Sequence, residues 1–213
     1  MIRQSPIRLS PGHILLTSGV GGPAAKWRDK LLTSAIISHQ KQQQIGFVPT
    51  RSHAELITNH LGETFAARWR TRRRPNGLAD YIGSEITIGR PAKSVGMTSP
   101  RFWLAWDKAR MNRFDGDIYP VHKLLLQGIG TWIFPWLRKI GGGQPICSEI
   151  VSAFYHLGMS LFPSWRGWTP ADLEREILRG DWFEVEFTGL LTKELMAESN
   201  LPLYAEEAMS IGE

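Results

Sequence analysis

The stretch that most constrains the fold is a glycine-rich loop, residues 141–145, that leads directly into a helical pattern ending near residue 158. Glycine and proline disfavour regular structure ahead of this junction. Beyond it, apolar residues recur at helical spacing: Ile150, Val151, Phe154 and Leu157. The pattern predicts a helix that has Cys147 in or just before its first turn and Gly158 as its C-cap.

Cys147 is the single cysteine of the chain, and its predicted position suits a nucleophile. The positive end of the helix dipole and unpaired amide N–H groups lower the pKa of a thiol there and can hold an oxyanion. The alternative is a buried cysteine that packs as a small hydrophobic side chain. The choice between the two depends on whether the chain supplies a base.

Length and composition indicate an ordinary globular protein. The chain has 213 residues, of which 42% are hydrophobic and 21% charged, enough for one domain with a substantial core. We expect that domain at residues 1–192, followed by a weakly structured tail at 193–213. One cysteine excludes an internal disulfide. The N-terminus lacks the pattern of a signal peptide, which predicts synthesis in the cytoplasm without one.

Two segments indicate possible partners. Five arginines fall close together at Arg68, Arg70, Arg72, Arg73 and Arg74 in a chain of net charge +5. They can meet phosphates, an anionic polymer or lipid headgroups, or form a solvated strand end or loop. Residues 124–137 are the most apolar stretch but fall short of the ~18 apolar residues that a membrane span requires. We interpret them as a buried or interfacial segment.

Periodicity predicts a mixture of strands and helices, an α+β fold. Strands are expected in residues 9–17, 51–58, 63–70, 80–88 and 181–187. Helices are expected at 24–38, 100–113, 147–158 and from Thr169, as N-cap, to about Leu178. The strands 51–58 and 63–70 form a β-hairpin with its turn at 59–62.

Among the six histidines, His53 is the best candidate for a base. It begins an amphipathic strand after a polar loop, and a strand is a rigid support from which to aim an imidazole. His39 and His60 belong to polar connections, and His122 and His156 fit packing positions on helical patterns. His13 opens an apolar strand.

These residues resemble the permuted NlpC-like papain-fold family, of the YiiX and YebB type, which is related to the lecithin retinol acyltransferase group. The resemblance covers roughly residues 10–175. It rests on four motifs in this order: Pro11-Gly12-His13, Ser52-His53-Ala54-Glu55, Ile146-Cys147-Ser148-Glu149 and Thr169-Pro170-Ala171-Asp172. In this family the histidine precedes the cysteine, the reverse of ordinary papain-like enzymes.

The resemblance implies a circularly permuted papain-like fold, in which a small antiparallel β-sheet or barrel packs against the helix that carries the cysteine. It also implies that Cys147 is the nucleophile, that His53 is the general base and that an amide or acyl bond is cleaved through an acyl-enzyme without a cofactor. One departure is His13, which stands where the family's opening motif usually has Asp.

The second departure concerns the third catalytic residue, which the family places on the second strand of the hairpin. The residues expected opposite His53 are Ala67, Arg68 and Trp69, and none is a carboxylate. Glu55 lies two residues after His53, on the same strand face and ~6.5 Å away between Cα atoms. We therefore predict Glu55 as the third residue, with an ion pair to nearby arginines as its alternative.

Three further residues are candidates for roles beside the cysteine. Tyr119 and Tyr155 are predicted to line a substrate groove, although packing explains them equally well. Glu149 is expected to cap the helix or face solvent. No spacing of His, Cys or carboxylates fits a metal site.

The first hypothesis is a cysteine amidase or peptidase that acts on peptidoglycan peptides and is carried by a phage virion, where structural proteins would be its partners. The second keeps the fold but makes the chain an acyltransferase or lipid hydrolase at a membrane surface. The third is a non-catalytic structural module. Nucleic-acid binding through the arginines is the least supported hypothesis.

Overall fold

The fold is α+β, as the sequence predicts. The computed structural model describes residues 5–18, 50–66, 72–74, 77–114 and 146–203. The predicted helix at 24–38 and the apolar segment 124–137 lie outside these residues. Within them, no helix combines the length and apolar character needed to cross a membrane.

Within the described residues, six antiparallel strands form a single sheet. Their bounds are β1 Ile14–Thr17, β2 His53–Ile57, β3 Thr64–Ala66, β4 Arg72–Arg74, β5 Glu85–Pro91 and β6 Phe183–Leu190. Their order across the sheet is β4-β3-β2-β1-β5-β6. The short strand β1 lies at the centre and pairs with β2 on one side and β5 on the other. In this register Thr17 is opposite His53, where β2 begins.

In the described part of the chain, four α-helices accompany the sheet: α1 Ser99–Lys108, α2 Cys147–Ala153, α3 Pro170–Arg179 and α4 Lys193–Glu198. Threonine side chains cap three of them, because the Oγ1 atoms of Thr98, Thr169 and Thr192 accept backbone N–H groups of the first turn. The predicted N-cap Thr169 is thus confirmed. Short 3-10 turns occur at Ala79–Tyr81, Lys93–Val95 and Met111–Phe114.

Side chains of the central strands alternate between two buried layers. Ile14, Leu16, Ala54 and Leu56 pack with α1 and α2 in one hydrophobic cluster. Leu15, Ile57, Ile86 and Ile88 pack with Tyr81 and with Leu195 of α4 in the other. Because neighbouring strand residues point to opposite faces, the sheet separates the two layers.

The cysteine helix ends differently from the prediction. Regular α-helix stops at Ala153, and Phe154–Gly158 form a single π-helical turn. Gly158 is the last residue of that turn and does not adopt a left-handed C-cap conformation. A Cβ atom there would lie 2.6 Å from the carbonyl oxygen of Ala105 in α1. Glycine is therefore required because two helices approach closely.

The expectation of a weakly structured tail from residue 193 is wrong for residues 193–203. Thr192 caps α4, and Leu195, Met196 and Leu201 are buried. The Ser199 hydroxyl also accepts the backbone N–H of Ile7, at 2.8 Å. This segment closes the layer of the core that contains Tyr81.

Candidate active site

The segment that leads into β2 is fixed by buried charges. Arg51 is buried, and its guanidinium donates to Thr87 Oγ1 at 3.2 Å and to the backbone carbonyls of Glu85 and Ile86. The carboxylate of Glu174, in α3, accepts hydrogen bonds from Thr50 and lies 4.0 Å from Arg51 Nε. These contacts anchor the chain just before His53, and sequence periodicity gave no sign of them.

Glu55 lies beside His53, as the alternation of the strand predicts. Both side chains are buried, with 1% of His53 and 0% of Glu55 exposed. His53 Nε2 is 3.0 Å from Glu55 Oε1, a hydrogen-bonding distance. A carboxylate in this position holds the imidazole ring and stabilises its protonated form.

Cys147 opens α2, whose first turn is held by Glu149. One carboxylate oxygen of Glu149 accepts the backbone N–H of Ile146 at 3.1 Å, and the other accepts the N–H of Gly167 at 2.9 Å. Ser148 Oγ donates to the carbonyl of Trp168 in the same loop. Glu149 thus caps the helix, as expected, but it is fully buried and does not face solvent.

The thiol of Cys147 and the imidazole of His53 interact with each other, since each shifts the pKa of the other. Cys147 comes from the layer above one sheet face, whereas His53 shares the opposite face with Glu55 and Ile57. They interact at the start of β2, where the backbone N–H of Ala54 also lowers the pKa of the thiol. Since Nε2 of His53 contacts Glu55, Nδ1 is the nitrogen available to the thiol.

The electrostatics of the pair favour charge separation. Burial acts to lower the pKa of His53, but the charge of Cys147 and the bonds to Cys147 and Glu55 raise it to about 9. Burial acts to raise the pKa of Cys147, but His53 and the N–H groups of Ala54 and Ser148 lower it below its ordinary value. The arrangement supports a thiolate next to an imidazolium, the reactive form of a cysteine nucleophile.

Tyr81 also belongs to this cluster, and the sequence analysis missed it. Its hydroxyl donates to Glu55 Oε1 at 2.6 Å, and its ring is fully buried. Tyr81 falls in a segment where a strand was expected. A 3-10 turn at Ala79–Tyr81 instead directs the ring inward, and no pattern in the sequence indicates that turn.

The two tyrosines predicted to line a groove have different outcomes. Tyr119 lies outside the described residues. The prediction for Tyr155 is wrong, because its side chain is 0% exposed and packs against Phe154, Phe162 and Phe183. Its hydroxyl donates to the carbonyl of Gly12, which ties the π-helical turn to the start of β1.

The described histidines other than His53 have different surroundings. His60 is exposed in the hairpin turn. His156 Nδ1 bonds to the carbonyl of Phe162. His13 is buried, and burial together with the charge of Arg90 lowers its pKa to about 4. Among the described histidines, His53 is the one whose pKa is raised by Cys147.

Comparison with known proteins adds no family assignment. No family model, no curated protein and no solved structure matches the chain. Across the described residues, no group of three or more His, Cys, Asp or Glu side chains is arranged to hold a metal ion. Function must therefore be inferred from the geometry of Cys147, His53 and Glu55.

Proposed function

We propose that the chain is a cysteine-dependent hydrolase that cleaves an amide or acyl bond through an acyl-enzyme. The observation that carries the proposal is that His53 contacts Glu55 at 3.0 Å and that His53 and Cys147 shift each other's pKa. Two distant segments of the chain supply a nucleophile, a base and an orienting carboxylate in one buried cluster. A cysteine that merely filled space in the core would not require the other two groups.

The chemistry follows from the charges of the pair. The Cys147 thiolate attacks the substrate carbonyl carbon, and the proton on His53 passes to the leaving amine or alcohol as its bond to that carbon breaks. The product is a thioester on Cys147. His53, now neutral, takes a proton from water as the water attacks the thioester. The bond between that carbon and the sulfur breaks, which releases the acid product and leaves the Cys147 thiolate next to protonated His53, the starting state.

The finer proposal is a permuted papain-like fold. It is supported by the chain order, since the strand bearing His53 precedes the helix bearing Cys147. A six-stranded antiparallel sheet with the cysteine helix packed on it is compatible with such an arrangement. The resemblance also suggests peptidoglycan peptides as substrates and delivery by a virion. The membrane hypothesis depends on the apolar segment 124–137 and on Arg68 and Arg70, which lie outside the described residues.

A trapping experiment tests the proposal. Purified protein is offered a panel of fluorogenic amides and esters, together with purified peptidoglycan, and quenched samples are analysed by mass spectrometry. We expect hydrolysis and an acyl adduct on the peptide that contains Cys147, which is unambiguous because the chain has a single cysteine. Cys147→Ser and His53→Gln should lose both signals.

His60→Gln is the matched control, because His60 is exposed in the turn after the same strand. It should hydrolyse and form the adduct as the unchanged protein does. Hydrolysis that persists in Cys147→Ser would refute the proposal. So would a Cys147 thiol that reacts with iodoacetamide no faster than a free thiol near neutral pH.

A further inference from the structure

We propose that Tyr81 is a positioning residue that holds Glu55, and through it His53, in the orientation needed to activate Cys147. This inference rests on the proposed function, because it assigns Tyr81 to the same site. Tyr81 would not touch the substrate. It would act through the carboxylate of Glu55, from the face of the sheet opposite the layer that contains α2.

The hydrogen bonds from Tyr81 and from His53 end on the same carboxylate oxygen of Glu55. Tyr81 Oη is 2.6 Å from Glu55 Oε1, and His53 Nε2 is 3.0 Å from that same atom. A phenol hydroxyl is a donor at ordinary pH, so Oε1 accepts from Tyr81. An ionised carboxylate oxygen can accept a second bond, and the Nε2–H of His53 supplies it. The shared acceptor therefore fixes the Nε2 proton of His53 on the side away from the thiol and leaves Nδ1 directed toward Cys147.

The ring of Tyr81 has little freedom to move. It is fully buried in the layer that contains Leu15, Ile57 and Ile88. Backbone hydrogen bonds hold its turn, because Tyr81 N–H donates to the carbonyl of Leu78 and Ser84 N–H donates to the carbonyl of Tyr81. A rigid donor on a different element from β2 restrains Glu55 in a way that its own strand does not.

The pH dependence of the Cys147 thiolate measures this restraint without any substrate. The thiolate is followed by its ultraviolet absorbance, with Cys147→Ser as the blank, and by the rate of alkylation. Tyr81→Phe removes the donor, so Glu55 should turn and support the imidazolium less well. The pH range of the thiolate–imidazolium pair should narrow, with each edge moving by about half to one pH unit.

Two further variants calibrate the result. Glu55→Gln should narrow the range in the same direction and by more. Tyr155→Phe is the matched control, because it also removes one buried tyrosine hydroxyl that bonds within the core, but it lies outside the cluster of Glu55 and His53. It should leave the range unchanged. A Tyr81→Phe profile that coincides with that of the unchanged protein, or that widens, overturns the proposal.

A conservative variant keeps the test decisive if Tyr81→Phe does not fold. Para-aminophenylalanine at position 81 keeps the ring and a weaker para donor, so the pH range should narrow relative to that of the unchanged protein, and no narrowing at all would overturn the proposal. Failure of the two proposals is distinguishable. If Tyr81→Phe narrows the pH range of the thiolate but the unchanged protein hydrolyses nothing, the hydrolase proposal alone is refuted. If the unchanged protein hydrolyses its substrate but the Tyr81→Phe profile is not shifted, the role of Tyr81 alone is refuted.

Discussion

Replacement of Glu149 by glutamine tests whether the cysteine helix is anchored as the structure indicates. Glu149 is buried and accepts two backbone N–H groups, one from Ile146 just before Cys147 and one from Gly167 in the loop beyond the helix. Glutamine has nearly the same shape. It retains one acceptor oxygen and presents an NH₂ group where the second acceptor was.

The magnitude follows from these two bonds. A hydrogen bond to a charged group contributes about 1.5–3 kcal/mol, and a buried donor left without an acceptor costs about 1–3 kcal/mol. Glu149→Gln weakens one bond and sets two donors against each other at the second. We expect a loss of about 3 kcal/mol in the free energy of unfolding, which lowers the Tm by about 6–12 °C for a chain of this length.

Denaturant unfolding followed by tryptophan fluorescence measures the loss, and thermal unfolding provides the Tm. Asp172→Asn is the matched control, because Asp172 caps α3 through the N–H and hydroxyl of Thr169 but is partly exposed. That variant should lose about 1 kcal/mol. If Glu149→Gln loses no more than Asp172→Asn, the two buried bonds do not anchor the helix and the reasoning is refuted.

Two other predictions concern the pair and the helix contact. The rate of hydrolysis should show a bell-shaped dependence on pH. It rises as Cys147, whose pKa is lowered, becomes a thiolate, and it falls above about pH 9 as His53 loses the proton that the leaving group needs. A rate that keeps rising in alkaline solution would contradict this prediction. Gly158→Ala should cost about 1–3 kcal/mol in the free energy of unfolding, because its Cβ would meet the backbone oxygen of Ala105 at 2.6 Å. Denaturant titration measures that cost. A loss of less than about 0.5 kcal/mol, half of the lowest expected value, would show that α1 moves aside freely.

Local pattern was enough to predict the position of the candidate site. The alternation of β2 predicts that His53 and Glu55 share a strand face, and helical periodicity predicts Cys147 at a helix start. Both predictions concern neighbours along the chain, where spacing determines geometry. The structure brings these residues together, while their catalytic roles stay predictions.

What local pattern could not provide depends on contacts between distant segments. Tyr81 reaches Glu55 because a 3-10 turn directs its ring inward. Tyr155 can be fully buried because its hydroxyl donates to the carbonyl of Gly12. The sequence pattern predicts Gly158 as a C-cap because glycine often ends a helix. Its actual reason, the close approach of α1, is a property of packing that spacing does not encode.

The central position of β1 has a consequence for dividing the chain. Its four residues form the only connection in the described sheet between the group β4-β3-β2 and the group β5-β6. A fragment without residues 5–18 would keep Cys147, His53 and Glu55 but would lose the strand that joins the two groups. The same short segment, added back as a synthetic peptide, would then act as a switch: the sheet reassembles only when the peptide binds between its two halves.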